Sequence, residues 1–219
     1  MKIHADLTQR AVMHSDQIDW VPSPLPGVER RMLERDGEEV ARATSIVRYA
    51  PGSAFSPHVH GGGEEFIVLD GVFSDEMGDF PTGMYLRNPP GSKHTPSSAP
   101  GCTIFVKLRQ MLPDDETFVR TDMNEASNWQ AGREGESVLP LFQNSHETVQ
   151  FLKWQAGFNT DDIEYPDGAE FFVMDGEFED EKGAYKAGSW LRLPPDSRQK
   201  IQVESGCTVY LKTGHLKQQ

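Results

Sequence analysis

Three histidines and one glutamate in the first half of the chain have the types and spacing of metal ligands. His58 and His60 are two residues apart, so both imidazoles point to one face if this segment is a strand. Glu64 follows three glycines, which allow the backbone to turn and bring its carboxylate back toward the imidazoles. Proline and glycine before His94 favour a tight turn that supplies a fourth ligand from a neighbouring hairpin. The pattern predicts a metal site formed by these four residues.

Three neutral imidazoles and one carboxylate suit several divalent transition metals. We expect one such ion per chain, with zinc as the first choice and iron, manganese, nickel or copper as alternatives. The choice matters for function, because zinc is inert in redox reactions whereas iron, manganese and copper are not.

The elements that position these residues occur twice. Residues 64–107 align with residues 169–212 without a gap, and 19 of the 44 aligned positions are identical. The identities include Asp70-Gly71 with Asp175-Gly176 and the segment Gly101-Cys102-Thr103 with Gly206-Cys207-Thr208. Agreement at this level indicates an internal duplication.

Each copy has the composition of short strands separated by turns. Residues 43–49, 65–69, 103–107 and 148–154 are rich in β-branched and aromatic residues, and Asp70-Gly71 predicts a turn after the second of these. Glycine and proline punctuate the chain throughout, and no helical stretch of 10 residues or more has convincing caps. We predict an all-β protein in which each copy forms a small barrel or sandwich and the polar segment 113–128 links the copies.

The second copy lacks the proposed ligands. Its equivalent positions are occupied by Ile163, Tyr165, Ala169 and Gln199, so we expect a barrel without metal. Tyr165 and Gln199 either line a ligand-binding pocket or belong to a scaffold, and the scaffold interpretation is preferred. The repeat also informs the choice of carboxylate in the first copy. Glu65 competes with Glu64, but it persists as Glu170 where the other ligands are lost, which favours a structural role for Glu65.

The ligand motifs are similar to the paired signature motifs of the cupin superfamily. Residues 60–66, 87–96 and 101–107 resemble the cupin domain of the ChrR anti-sigma factors. The resemblance implies two tandem cupin (jelly-roll β-barrel) domains, a metal-binding one over residues 1–113 and a degenerate one over residues 114–219. It also implies that the metal lies near the barrel mouth at the family's ligand positions, His58, His60, Glu64 and His94.

Two functions are compatible with this resemblance. The preferred one is a regulatory or sensing module, linked to oxidative stress or transcription control through a partner protein. Cys102 is a candidate redox group in such a module, although its match to Cys207 favours packing. The anti-sigma factors bind their sigma factor through an N-terminal His-x3-Cys-x2-Cys zinc module, and no cysteine precedes Cys102. The alternative is a metal-dependent dioxygenase or related oxidoreductase acting on a small organic substrate.

Composition narrows the range of partners. The net charge of −13 argues against direct binding of nucleic acid, which needs clustered Lys and Arg. No apolar run has the length of a membrane span or a signal peptide, and two cysteines do not form a disulfide framework. We therefore expect a cytoplasmic protein without membrane association, which binds a small-molecule ligand or signal. A protein partner and a homodimer are further possibilities.

Overall fold

The computed structural model describes residues 1–217 and divides them into two compact units. The first unit comprises residues 1–5 and 18–124, and the second comprises residues 6–17 and the chain from residue 125 onward. The secondary structure is nearly all β, which confirms the predicted fold class, and two 3-10 helices cover Ser15–Gln17 and Ala126–Asn128. Within the described part of the chain, no helix has the length and hydropathy that a membrane crossing requires.

The strands are short, as the frequent turn residues predict. Those up to residue 122 are β1 (Lys2–Ile3), β2 (Ala11–His14), β3 (Val21–Pro22), β4 (Val28–Gly37), β5 (Ala41–Tyr49), β6 (Ser53–Ala54), β7 (His58–Val59), β8 (Glu64–Asp75), β9 (Gly78–Pro81), β10 (Met84–Asn88), β11 (Lys93–His94), β12 (Ser97–Ser98), β13 (Cys102–Leu108) and β14 (Val119–Asp122). The remainder are β15 (Gln130–Ala131), β16 (Glu136–Gln143), β17 (Thr148–Trp154), β18 (Ile163–Tyr165), β19 (Ala169–Asp180), β20 (Gly183–Lys186), β21 (Ser189–Leu193), β22 (Ser197–Gln199) and β23 (Cys207–Thr213).

The two units have the same antiparallel topology. In the first, the sheet order is β1-β4-β5-β13-β8-β10-β14, and β7 pairs separately with β11. In the second, the order is β15-β16-β17-β23-β19-β21-β2, and β18 pairs with β22. The inward faces form one apolar cluster in each unit, around Phe66 and Phe73 in the first and around Phe171 and Phe178 in the second. The duplication in sequence is therefore a duplication in structure.

Asp70-Gly71 does not form the predicted turn. Strand β8 continues through it to Asp75, and the pairing of β8 with β13 shifts register between Thr103 and Ile104. Gly71 has φ +75°, and a Cβ there would lie 2.1 Å from the Gly101 carbonyl oxygen. An Asp-Gly pair supplies the left-handed residue of a β-bulge as readily as that of a turn. The second unit has the same bulge in β19.

The boundaries of the two units differ from a simple division of the chain at residue 113, and two short strands account for the difference. Strand β14, in the segment predicted as a linker, pairs with β10 and completes the first unit. Strand β2, near the beginning of the chain, pairs with β21 and completes the second unit. Both strands take the same place in their sheets, next to equivalent partners. The polarity of the 113–128 segment obscured β14, because an edge strand needs few buried apolar residues.

Candidate metal centre

The predicted ligands lie on two short paired strands and the turns beside them. His58 on β7 is the cross-strand partner of His94 on β11. His60 follows β7 and is fixed by its backbone, since its amide donates to the Ser92 carbonyl at 2.9 Å and its own carbonyl accepts from the Gly91 amide at 2.9 Å. The proline-glycine turn thus positions both His60 and His94.

The three histidines form a group that could hold a metal ion. One nitrogen from each of His58, His60 and His94 lies within 4.8 Å of the other two. His60 and His94 are buried, whereas His58 is exposed. This difference leaves one side of the group accessible from solvent.

Glu64 faces the two buried histidines. Its Oε2 lies 3.6 Å from Nε2 of His60 and 3.6 Å from Nε2 of His94. These distances are too long for hydrogen bonds. Two ligand atoms about 2.1 Å from one ion at a tetrahedral angle lie roughly 3.4 Å apart, so the spacing fits a shared cation. The structure thus brings the fourth predicted residue to the two buried histidines of the group.

Two buried nitrogens at this site support the same interpretation. Nε2 of His60 and Nε2 of His94 have no hydrogen-bond partner among the described residues. Asp75 contacts the opposite nitrogen of His94, with 3.3 Å between Oδ2 and Nδ1. A carboxylate on Nδ1 keeps the proton there and directs the Nε2 lone pair into the site, as the outer partners of metal-bound histidines do. An unsatisfied buried nitrogen is costly, and a metal ion would relieve that cost.

Burial sets the protonation of the group. Burial and, to a smaller extent, the neighbouring imidazoles lower the pKa of His60 to about 3 and that of His94 to about 4. Both rings are therefore neutral at physiological pH, which is the form that binds metals. Burial raises the pKa of Glu64 to about 7, against the opposing effects of Asn88 and Arg120. A nearby cation would favour the ionised carboxylate.

Glu65 has a different environment from Glu64. It is buried, accepts a hydrogen bond from the Tyr85 hydroxyl at 2.7 Å and lies 3.4 Å from Nη1 of Arg87. Adjacent residues of a strand point to opposite faces, which explains the separation of the two carboxylates. These contacts support the structural role assigned to Glu65.

Three residues beside the ligands were not singled out from the sequence. Asp75 orients His94, and Asn88 donates from Nδ2 to Oε2 of Glu64 at 3.3 Å. Arg120 donates from Nη2 to Oδ1 of Asn88 at 2.6 Å. The match of Asp75 to Asp180 was a usable signal. Arg120 had none, because it lies in the segment interpreted as a linker.

A cavity of about 650 Å³ adjoins the histidine group in the first unit. Its lining includes His94, Asn88 and Arg120 together with the exposed apolar side chains of Met77 and Phe118. A volume of this size accommodates a small organic molecule.

The equivalent positions of the second unit offer a different chemistry. Ile163 and Ala169 are apolar, and Tyr165 and Gln199 are buried. Gln199 donates to Oδ2 of Asp180 at 2.9 Å, the counterpart of the contact between His94 and Asp75. The absence of metal from this unit stays a prediction.

Tyr165 and Gln199, which were predicted as candidates for one pocket, have different surroundings in the structure. Tyr165 lines a cavity of about 340 Å³ in the second unit, together with Trp154 and Glu136. Gln199 is engaged with Asp180 and is not part of that lining. A pocket shared by the two side chains stays a prediction.

Cys102 lies in the apolar cluster of the first unit, where only 3% of its surface is exposed. Burial raises its pKa to about 11, and burial also raises the pKa of Cys207 to about 12. Redox-sensing cysteines are accessible and have a lowered pKa. The environment of Cys102 therefore supports packing over redox sensing.

The chain is similar in fold to several solved structures. A protein from Nostoc punctiforme PCC 73102, described as a candidate dioxygenase, has a TM-score of 0.80 and 13% identity over 97% of this chain and 85% of that chain. Ylba from E. coli has a TM-score of 0.73 and 16% identity over 100% and 96%. An oxalate decarboxylase has a TM-score of 0.62 and 11% identity over 93% and 77%. At these identities the likeness establishes the fold, and it confirms the predicted cupin architecture.

A comparison with curated proteins found no match. The family model for the ChrR Cupin-like domain matches the chain twice, over residues 8–112 and 116–217. These two ranges cover most of the sequence and coincide with the two copies of the repeat. The chain belongs to the family of the ChrR Cupin-like domain and contains two copies of that domain.

Proposed function

We propose that the first unit is the active domain of a metal-dependent oxidoreductase of the dioxygenase type, acting on a small organic substrate. The main supporting observation is that the histidine group borders a cavity of about 650 Å³ through His94. A site with a purely structural metal is usually closed by its ligands, whereas a catalytic site keeps an open side. Here His58 is exposed and the cavity adjoins its cross-strand partner.

His58, His60, Glu64 and His94 would hold the metal, which would supply Lewis acidity and, if iron, manganese or copper, redox chemistry. The protein's own residues set the conditions for this chemistry. Asp75 keeps the proton on Nδ1 of His94, and Asn88 orients Glu64. The exposed apolar side chains of Met77 and Phe118 at the cavity wall would cover the apolar part of a bound substrate.

Similarity of fold gives this proposal modest support. One similar structure is described as a candidate dioxygenase and another is an oxalate decarboxylase. Folds host many functions, so these names alone do not decide the reaction.

A sensing module is the second candidate, because the family is that of the ChrR Cupin-like domain. In that function the metal would stabilise a conformation read by a partner protein. The buried, high-pKa Cys102 removes the simplest thiol-based mechanism for such a sensor.

Oxygen uptake separates the two candidates. Protein reconstituted with iron, manganese or copper is placed in an oxygen electrode with diketones, phenols and small carboxylic acids. We expect uptake with at least one compound and its loss in His94→Ala. One equivalent of zinc in the purified protein, together with no uptake by any reconstituted form, would contradict the enzyme and favour the sensor.

A further inference from the structure

Arg120 occupies the wall of the cavity beside the metal centre in an unusual state for a half-buried cation. Its three hydrogen bonds run to neutral acceptors, namely the carbonyls of Arg87 at 2.9 Å and Val119 at 2.7 Å and the side-chain oxygen of Asn88 at 2.6 Å. Within residues 1–217, no carboxylate forms an ion pair with it. Since a guanidinium has five N–H donors, two remain for a ligand.

The carboxylates of the same cavity already have partners. Asp75 accepts from the Met77 amide at 2.8 Å and contacts His94, while Glu76 accepts from the Thr95 amide at 3.0 Å. Asp75 acts on Arg120 only through space, as Glu64 does. A partly desolvated cation without a direct counter-ion is stabilised when an anion binds it.

The contacts of Arg120 also connect it to the metal centre. Asn88 accepts from Arg120 with Oδ1 and donates with Nδ2 to Glu64, so one amide spans the cation and the carboxylate. These two hydrogen bonds fix the position of Arg120 relative to the histidine group. A ligand on Arg120 would lie in the cavity that His94 borders.

The rest of the cavity wall contains Lys93, a second cation, and two exposed apolar side chains. Phe118 is 60% exposed and Met77 is 79% exposed, which is high for such large side chains. The Phe118 ring centroid lies 5.9 Å from Cζ of Arg120, so the charged and apolar surfaces are adjacent. This combination suits a ligand with one anionic end and one apolar end.

We propose that Arg120 binds the carboxylate of a small organic acid whose apolar part packs on Phe118 and Met77, beside the metal centre. The ligand class deepens the proposed enzymatic function and rests on it. A planar carboxylate can accept two hydrogen bonds from the free N–H donors of the guanidinium.

Calorimetry with the purified, metal-loaded full chain tests this proposal. The probes are phenylacetate, 3-phenylpropanoate and 3-methylbutanoate, each compared with its neutral amide. We expect at least one acid to bind at least about ten-fold more tightly than its amide, because a charge-assisted bond is lost in the amide. Arg120→Gln should weaken acid binding at least about ten-fold, and Arg120→Lys should retain part of the affinity.

Two further variants test whether the loss of acid binding is specific to the Arg120 site. Arg133→Gln alters an arginine at the second unit's cavity and should leave acid binding unchanged. Phe118→Ala should weaken the binding of acids and amides alike, because it removes apolar contact surface but no hydrogen-bond partner of Arg120. Binding of no acid, equal binding of acid and amide, or unchanged binding in Arg120→Gln would overturn the proposal.

Metal content measured on the same samples separates this inference from the proposed function. Protein that retains metal but binds no acid contradicts the Arg120 site alone. Protein that retains no metal contradicts the proposed metal-dependent function, whatever the acids do.

Discussion

Glu64 and Glu65 are adjacent in β8, yet their carboxylates have different partners. Glu64 faces the Nε2 atoms of His60 and His94, whereas Glu65 interacts with Tyr85 and Arg87. The alternation of a strand is sufficient to separate them. One residue therefore belongs to the metal centre and its neighbour to the interior of the unit.

Conservative substitution distinguishes the two glutamates. Glu64→Gln should lower metal affinity at least about ten-fold, because an amide is a weaker ligand than a carboxylate. Glu65→Gln should leave metal content unchanged but lower the free energy of unfolding by about 2 kcal/mol, because Arg87 loses one buried carboxylate partner and keeps another, Asp115. Metal titration and urea unfolding measure both effects. Loss of metal from Glu65→Gln but not from Glu64→Gln would reverse the assignment.

The ligands could be predicted from sequence because three of them lie within seven residues, the fourth follows a proline-glycine turn, and their residue types are distinctive. Asn88 and Arg120 could not, because nothing in their local sequence shows what they face, and the signal for Asp75 was its match to Asp180 in the repeat. Asp75 contacts His94 from 19 positions away, and Arg120 contacts Asn88 from 32 positions away. Such contacts depend on the pairing of strands that the sequence does not specify.

At the scale of elements, the turn before β8 determines where Glu64 points. Gly63 has φ +77°, and a Cβ there would lie 2.3 Å from Sδ of Met111. The turn therefore needs glycine for two reasons, its left-handed backbone and the close approach of a neighbouring segment. Gly52 has almost the same backbone conformation, with φ +76°. A Cβ at Gly52, however, would have no atom within 4 Å apart from those of its chain neighbours.

Alanine at these two glycines tests the turn. Gly63→Ala should displace the start of β8, reduce metal binding and lower stability by about 2 kcal/mol or more, since it adds a clash to backbone strain. Gly52→Ala should cost about 1 kcal/mol from the backbone alone and leave metal binding intact. Metal content and thermal unfolding provide the measurements. Equal effects of the two substitutions would show that the approach of Met111 is unimportant.

The strands show where sequence patterns succeed and where they fail. Strand β17 has the bounds predicted for it, and β5 and β13 contain their predicted segments, because all three are rich in β-branched and aromatic residues. Strand β8 is longer than predicted because its bulge resembles a turn in sequence. Strand β14 is polar, so only its pairing with β10 identifies it.

At the scale of the whole molecule, the two copies of one fold hold different groups at the same place. The first unit has His94 on Asp75, and the second has Gln199 on Asp180. Asp180 also accepts from the Tyr185 hydroxyl at 2.8 Å and pairs with Arg10 at 2.9 Å. The aspartate is present in both copies. In the first unit it contacts a candidate metal ligand, whereas in the second it accepts hydrogen bonds from side chains of two other strands.

The Asp180 contacts give the second unit a pH-dependent stability. Burial raises the pKa of Asp180, but hydrogen bonds from Gln199 and Tyr185 outweigh it, so the net pKa lies below its ordinary value. A lowered folded pKa stabilises the protein above the unfolded pKa, and this stabilisation is lost as pH falls through the folded value.

Asp180→Asn should therefore lower the free energy of unfolding by about 2 kcal/mol at pH 7 and by less at about pH 3, because aspartates of the unfolded chain are mostly protonated there. Urea unfolding of metal-free protein at both pH values measures the difference. Asp167→Asn is the control, because Asp167 pairs with Lys217 at the surface and should have little effect. An Asp180→Asn effect that is constant with pH would contradict the role given to its charge.

The most direct test of the central claim is the number of metal ions per chain. Elemental mass spectrometry is applied to protein purified without added metal, and to the His58→Ala/His94→Ala double variant. We predict close to one divalent transition metal ion per chain in the unaltered protein and a large loss in the variant. Two ions per chain, or an unchanged content in the variant, would contradict the assignment of a single site to the first unit.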